Sequence, residues 1–377
     1  MKKIYALLTI LLSPAISPAL IYAQETAVNY TPHFDGTVKA RFEVSAYDGG
    51  SRFNVRNARF GVAGNAAERI HYRFQVDYSY EGSFMVLDAY AGYRHGGWDF
   101  MLGQLPYRFS SDVLRAPNTN LFANRSFIAK YITGYYGDAI VGGGVDDFVR
   151  NLGGRDIGAT LAYSFIAGIP VKITLGALNG SGMSNPQWSD RVNFLGRLDF
   201  TITPTLTAGV SYYTGSTPVH SHMNFDPATG LLRSGMIRNH MEMLDAELSF
   251  KSGDFAIDAE YAQRMLREEC RHMLTAAHVF SSYKFNLPTS RFAQYLMPVL
   301  RWDVGDNVDY LNLETLRREG FTSNRITAGL NLGFKGATVR SELRLNYEKY
   351  LIGRRPSDYS ANIQLQDKFT VEILVVF

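Results

Sequence analysis

The sequence predicts an all-β fold, a transmembrane antiparallel up-and-down β-barrel of about sixteen strands. Three observations predict it. Apolar and polar residues alternate with a period of two along most of the chain, short turns alternate with longer loops, and no apolar run after residue 22 approaches the ~20 residues of a membrane helix. A soluble β-sandwich also alternates, but here the polar face carries full charges on almost every strand, and the strands follow in simple order.

The strands with the clearest alternation cover residues 38–46, 70–80, 192–202, 244–250, 255–261, 326–334, 339–347 and 363–377. Weaker candidates cover residues 52–62, 85–94, 97–104, 155–165, 171–178, 204–213, 274–285 and 294–304. Together they make sixteen, an even number, as a barrel with both termini on one side of the membrane requires. Tight turns with Gly or Pro alternate with the longer connections 105–154, 179–190, 214–240, 265–273, 305–323 and 349–362.

Residues 1–23 have the pattern of a secretory signal peptide. Lys2 and Lys3 give a positive start, an apolar stretch follows over residues 4–12, and Ala23 is a plausible cleavage point. We therefore expect residues 24–377 to form one barrel domain in the outer membrane of a Gram-negative bacterium.

The last strand is expected to close the barrel against the first. From Ile363 to Phe377, seven of the eight residues at alternate positions are apolar. In lipid every backbone N–H and C=O group has to be paired, so no edge strand can be left open. With lipid around the wall, the ring of Phe377 is then expected at the membrane interface. Because outer-membrane barrels typically end on Phe, we also expect Phe377 to be a signal for the barrel-assembly machinery.

The sequence gives no basis for a nucleic-acid partner, an intramolecular disulfide, a cofactor or a metal. With Lys2 and Lys3 removed from the 38 basic residues, 36 remain against 35 acidic residues, a net charge of +1 that gives no sign of a nucleic-acid partner. Cys270 is the only cysteine, so no disulfide forms within the chain, and its free thiol has no assigned role. No cofactor or metal is predicted, because the ligand types at 268–272 and at His220 and His222 lie on loops, where such spacing is weakly specific.

A barrel of this size is too wide for side chains to fill, so we expect a water-filled channel for small hydrophilic solutes. If the apolar faces meet lipid, the basic residues lining the lumen are Lys39, Arg41, Arg73, Arg94, Lys172, Arg197, Arg340 and Arg344. Inward acidic residues nearly cancel this charge, so many of both signs are expected to form salt bridges along the wall.

The connection 105–154 is long enough to have a function of its own. Its residues 105–134 contain one acid, Asp112, against the basic residues Arg108, Arg115, Arg125 and Lys130. If this loop folds into the lumen, it narrows the pore and places positive charge there, which selects anions such as phosphate. The alternative is a loop that packs on the extracellular rim.

Six stretches of the N-terminal half resemble the phosphate-selective porins O and P, in that family's order. They are FNVRNARFGVAG (53–64), YRFQVDYS (72–79), DAYAGYR (88–94), MLGQLPYRFSSD (101–112), GRDIGATLAYSF (154–165) and GALNGSG (176–182). The resemblance implies a sixteen-stranded barrel, a homotrimer, a constriction loop after the fifth strand, and lumen Arg and Lys residues that draw anions inward. The family often has Lys before a Pro-Phe pair after the Gly-Gln, whereas here Gly103-Gln104 is followed by Leu105-Pro106-Tyr107-Arg108.

Two other function classes stay open. A hydrolytic barrel needs a nucleophile, a base and an orienting group at one height, and His71 beside Arg73 and Asp77 has no evident serine partner, so no enzyme is expected. A binding or adhesive barrel with a plugged lumen would use the long loops 214–240 and 305–323 to contact a partner. Stepwise conductance in a planar bilayer distinguishes a channel from the adhesive barrel, and a lipase or protease assay in detergent tests for the enzyme.

Overall fold

The computed structural model of the protein describes residues 28–46, 49–80, 83–133, 154–183, 186, 188, 191–220, 224–226, 231–233, 236–267, 271–312, 317–336, 338–352 and 367–377. The predicted signal peptide, the loop segment 134–153 and Cys270 lie outside the described residues. The boundary between signal peptide and barrel therefore stays a prediction.

The described chain is built almost entirely of strands. In chain order they are β1 (His33–Ser45), β2 (Ser51–Asn65), β3 (Ile70–Tyr80), β4 (Ser83–His95), β5 (Trp98–Pro106), β6 (Arg155–Ala167), β7 (Ile169–Leu178), β8 (Asn193–Thr203), β9 (Leu206–His220), β10 (Asn224–Asp226), β11 (Leu231–Arg233), β12 (Met236–Ser252), β13 (Phe255–Leu266), β14 (His272–Tyr283), β15 (Phe285–Asn286), β16 (Ala293–Asn312), β17 (Arg317–Phe334), β18 (Arg340–Ile352) and β19 (Lys368–Val376).

Hydrogen bonding closes these strands into a ring. Neighbours pair antiparallel, and β10 and β11 form a separate hairpin outside the main sheet. The two-residue β15 continues the line of β14 along β16, so the ring has sixteen positions. β1 pairs with β19 from Thr37 opposite Val376 to Ser45 opposite Lys368. The predicted fold class, a closed antiparallel barrel of sixteen strands, is confirmed.

The two faces of the wall differ in polarity, as the alternation predicts. On β19, Phe369 and Ile373 point outward and are 40% and 53% exposed, whereas Thr370 and Glu372 point inward and are fully buried. The outward apolar side chains can meet lipid tails, while the polar ones line the interior without contacting hydrocarbon.

The last strand is tied to the first at Phe377. The backbone N–H of Gly36 donates to the carbonyl of Phe377 (2.8 Å), and the N–H of Phe377 donates back to the carbonyl of Gly36 (3.1 Å). A Cβ atom on Gly36 would come within 2.2 Å of the Phe377 ring, so the ring needs glycine at this position. The role of Phe377 as an assembly signal stays a prediction.

Several strands extend into regions that were expected to be long loops. β16 and β17 leave only residues 313–316 of the expected loop 305–323 between them, and β9 and β12 run through much of the expected loop 214–240. Beyond the lipid neither face of a strand needs to be apolar, so the alternation that reveals membrane strands fades there.

Two short helical segments occur in the described chain, and both belong to the loop after β5. They are the helix Ser111–Leu114 and the π-helical turn Ile128–Ile132. The hydroxyl of Ser110 accepts a hydrogen bond from the N–H of Val113 and caps the first helix. Among the residues described, no helix is long and apolar enough to cross a membrane.

Candidate functional site

The described part of the loop after β5, residues 107–133, lies inside the barrel. The backbone N–H groups of three loop residues donate to inward side chains of the wall: Ser111 to Glu247 on β12 (2.8 Å), Ala123 to Asn346 on β18 (2.6 Å) and Phe127 to Asp303 on β16 (3.2 Å). In the ring of sixteen positions β16 is the eighth strand from β5. The loop therefore crosses the lumen from its own wall to the opposite one.

An apolar patch on the inner wall receives the loop. Loop side chains Tyr107, Phe109, Phe127, Ile128 and Tyr131 are buried in one cluster with the inward residues Tyr213, Met241, Met243, Leu266 and Leu274 of the wall. Burial of each large apolar side chain contributes about 1.5–3 kcal/mol. The hydrophobic effect thus holds the loop against β9 and β12–β14.

A buried ionic network holds the middle of the loop. Arg325 donates to Asp303 (2.9 Å) and Glu348 (3.2 Å), and Arg301 donates to Asp303 (2.9 Å). The same two guanidinium groups also donate to the loop carbonyls of Arg125 (2.6 Å from Arg325) and Asn124 (3.1 Å from Arg301). Because their carboxylate partners neutralise them, these arginines can be buried while they bind the loop backbone.

Asp112 organises the loop internally. Its carboxylate accepts hydrogen bonds from the N–H (3.2 Å) and the hydroxyl (2.9 Å) of Ser126. Burial alone would raise the pKa of Asp112, but the nearby charge of Arg125, followed by those of His278 and Arg115, lowers this pKa below its ordinary value. The Asp112 carboxyl group is therefore ionised at every pH at which an ordinary Asp carboxyl group is ionised.

The four predicted loop cations occupy different environments. Arg125 is buried and donates to the backbone carbonyls of Asp112 and Arg115, so it braces the loop. Lys130 is also buried, with its ammonium 5.5 Å from the ring centre of Tyr131.

The other two loop cations are less enclosed. The guanidinium of Arg115 lies 4.9 Å from the ring centre of Phe280 and 3.7 Å from the Asp258 carboxylate. Arg108 is half-buried at the base of the loop, within electrostatic reach of Tyr90 on β4 and Lys172 on β7.

Seven of the eight predicted wall cations form ion pairs. The pairs are Lys39–Glu372 (3.0 Å), Arg41–Glu43 (3.5 Å), Arg73–Asp35 (2.9 Å), Arg94–Asp99 (2.9 Å), Arg197–Asp199 (2.7 Å), Arg340–Glu342 (4.0 Å) and Arg344–Glu342 (2.7 Å). These contacts account physically for the near balance of inward charge in the sequence, because each of these seven cations meets an inward carboxylate.

Lys172 is the predicted wall cation outside this set. Within the part of the chain that the structure describes, neither Lys172 nor Arg108 has a side-chain hydrogen bond or an ion pair within 4.0 Å. Both are half-buried. The two cations stand near each other at the inner surface, where Asp99 and Asp199 attract Lys172 only at longer range.

Part of the lumen between the loop and the short turns is accessible to solvent. Inward side chains near the short turns are accessible, with Arg73 24% and Asp199 35% exposed, whereas Arg344, on the wall near β19, is 1% exposed. A cavity of about 340 Å³ lies beside the helix Ser111–Leu114, and its lining includes Arg115 and Asp258. The interior is therefore accessible to solvent at Arg73, at Asp199 and beside this helix.

Sequence reasoning missed the residues that hold the loop. Arg301 and Asp303 flank Trp302, which is 54% exposed on the outer face. The polar-apolar-polar order of these three residues therefore indicated that Arg301 and Asp303 both point inward. Nothing local to β16 shows that a loop from the opposite wall covers that pair. Tyr213 and Met243 were missed because an apolar residue in an inward position contradicts the expectation of a uniformly polar lumen.

A closed barrel of this topology, with a loop from the fifth strand inserted into the lumen, is the architecture of an outer-membrane porin, a channel for solute diffusion. The model of the family of phosphate-selective porins O and P matches residues 28–145. The resemblance seen in the sequence is confirmed over that part of the chain, and so is the expected location in the outer membrane of a Gram-negative bacterium.

Solved structures of other proteins share the fold at low identity. OmpT of Vibrio cholerae in its trimer form is 12% identical with a TM-score of 0.57, covering 92% of this chain and 98% of its own. The anion-selective porin from Comamonas acidovorans is 9% identical (TM-score 0.57; 92% and 98% covered), and OprB of Pseudomonas putida is 10% identical (TM-score 0.57; 92% and 94% covered). The sequence has no significant match among the curated proteins.

Proposed function

We propose that this porin prefers anions and that Arg108 and Lys172 supply the preference. The observation that carries the proposal is that these two neighbouring inward cations lack a bonded counter-ion in the described chain. Support also comes from the family match and from the likeness to an anion-selective porin.

The physical reason is the difference between paired and unpaired charge. The field of an ion pair 3 Å apart falls off quickly, whereas an unpaired charge attracts counter-ions over about a Debye length, ~8–10 Å at physiological ionic strength. Two unpaired cations near each other at the inner surface raise the local concentration of anions. The planar donors of Arg108 also suit the oxygens of phosphate, which makes phosphate a natural solute of this class.

The loop 105–154 is proposed as the constriction. Residues 107–133 cross the lumen and are anchored on the opposite wall, so solutes pass between the loop and the wall that carries Lys172. In this proposal Arg125 and Lys130 hold the loop in shape, and Arg108 and Arg115 face the passing solute.

The assembly is proposed as a homotrimer surrounded by outer-membrane lipid, folded with the help of the barrel-assembly machinery after removal of residues 1–23. The fold and the family indicate a channel rather than an enzyme. An adhesive barrel with a plugged lumen is the competing function, and the inserted loop is the feature that favours it.

Reversal potentials in planar bilayers test the proposal, first in a potassium chloride gradient and then in potassium phosphate. The wild-type channel is expected to prefer anions, and Arg108→Glu or Lys172→Glu to shift the reversal potential toward cation preference. Arg291→Glu is the matched control, since Arg291 is exposed in the short connection between β15 and β16 and the charge change is the same. Cation preference of the wild type, or equal shifts in all three variants, refutes the proposal, and the absence of stepwise openings favours the adhesive barrel.

A further inference from the structure

Three carboxylates meet where the loop touches the wall of β12 and β13. They belong to Asp245, Glu247 and Glu260, and one oxygen of each lies within 4.8 Å of the others. Asp245 is 1% exposed and Glu260 is 4% exposed. Such a group is costly to bury, because like charges repel strongly where water is excluded.

The hydrogen bonds of this group leave it short of positive charge. Arg197 donates to Glu247, but it also pairs with Asp199 at 2.7 Å. The hydroxyl of Ser111 donates to Glu260 at 2.6 Å, a neutral contact that adds no charge.

Two carboxylate oxygens of the group have no hydrogen-bond donor outside the group in the described chain. Oδ2 of Asp245 and Oε1 of Glu260 are both closed off from solvent and accept no hydrogen bond. Buried carboxylate oxygens ordinarily bind a donor or a cation, so these two atoms point to a missing ligand.

We propose that Asp245, Glu247 and Glu260 bind a hard divalent cation, with Ca²⁺ the best fit. Ca²⁺ takes oxygen ligands at about 2.3–2.6 Å, so oxygens up to 4.8 Å apart can contact one ion from opposite sides. Mg²⁺ fits less well, because its shorter bonds of about 2.0–2.1 Å require the carboxylates to move closer together.

The site couples the ion to the constriction loop. Glu247 and Glu260 are the acceptors for the backbone N–H groups of Ser111 (2.8 Å) and Asp112 (3.2 Å). An ion that fixes these carboxylates also fixes the point at which the loop enters the lumen. This inference does not rest on the proposed anion preference, since it concerns other residues and another measurement.

Calorimetric titration of the full-length protein in detergent with CaCl₂, after treatment with a chelator, tests the site. One Ca²⁺ per chain is expected for the wild type, with affinity at least about tenfold weaker in Asp245→Asn and in Glu260→Gln, because each loses a ligand to the ion. Asp258→Asn is the matched control, as it removes a neighbouring carboxylate outside the group, and it should bind as the wild type does. Gel mobility of each variant before and after heating verifies that it is folded.

Failure to bind at millimolar Ca²⁺, the weak end of known sites, overturns the proposal. So does binding that persists unchanged in both variants of the group. A proton shared between Asp245 and Glu260 is the competing explanation: it predicts no heat from Ca²⁺ together with proton uptake by the chelated wild type, and that result also overturns the site. Should one variant fail to fold, the other variant and the wild-type titration still decide.

Discussion

Replacement of Arg325 by Leu should loosen the middle of the loop 107–133. The guanidinium of Arg325 is 2% exposed and joins Asp303 and Glu348 on the wall to the carbonyl of Arg125 in the loop. A hydrogen bond from a charged group contributes about 1.5–3 kcal/mol net. Loss of the 2.6 Å bond to the loop alone therefore shifts the equilibrium between anchored and released loop by about 10–150-fold toward release.

Arg344→Leu is the matched control. Arg344 is equally buried and donates to Glu342 (2.8 Å) and Glu372 (3.3 Å), both on the wall, with no hydrogen bond or ion pair to the loop within the described residues. Each substitution leaves buried carboxylates without their partner, which costs about 3–5 kcal/mol of folding stability. The two variants should thus lose similar stability, while only Arg325→Leu alters the loop.

Single-channel recording in planar bilayers separates the two effects. Arg325→Leu is expected to show more current noise and a changed mean conductance, because the segment around Arg125 leaves the wall part of the time while the apolar cluster still holds the rest of the loop. Arg344→Leu should keep the wild-type conductance, and urea unfolding in vesicles should give comparable losses of stability for both. Unchanged conductance in Arg325→Leu, or the same change in both variants, refutes the reasoning.

Two further predictions concern barrel closure and pH. Gly36→Val should destabilise the barrel by about 1–3 kcal/mol, because the new side chain overlaps the Phe377 ring. Gly196→Val is the control and should have little effect, since the space at its Cβ position is open. Thermal unfolding followed by gel mobility compares the two variants. The pKa of Asp112 is lowered, so its stabilising contacts are complete above the ordinary carboxyl pKa of about 3.9 and are lost only as pH falls toward the lowered value. Any change of conductance between pH 7 and about 4 should therefore be shared by Asp112→Asn, and a change in that range that Asp112→Asn lacks would contradict the role given to Arg125.

The wall could be predicted from the sequence because each strand carries its own information. The alternation in β19, with Phe369 and Ile373 outward and Glu372 inward, follows directly from having lipid on one side and a polar interior on the other. Strand ends were less predictable, and β17 begins at Arg317 rather than at 326, because that alternation stops outside the lipid.

The interior could be predicted only in part, because its contacts join residues far apart in the chain. The basic residues of the loop were found from composition, but burial of Arg125 depends on the backbone carbonyls of Asp112 and Arg115, which no pattern reports. The anchor at Arg325 pairs with a loop residue 200 positions away. Only the path of the loop across the lumen brings these groups together.

The inward cations of the barrel fall into a buried, paired set and a half-buried set without bonded carboxylates. Arg301, Arg325 and Arg344 are buried and bonded to carboxylates within 2.7–2.9 Å, so a passing ion meets little net field, and exposing either partner costs several kcal/mol. Arg108 and Lys172 are half-buried and lack such partners in the described chain, and in the proposed function theirs is the charge that acts on ions in the lumen. It follows that the near-zero net charge of the wall says little about ion preference. Reversing the two unpaired charges should alter selectivity with little loss of stability, and neutralising Arg344 should do the opposite.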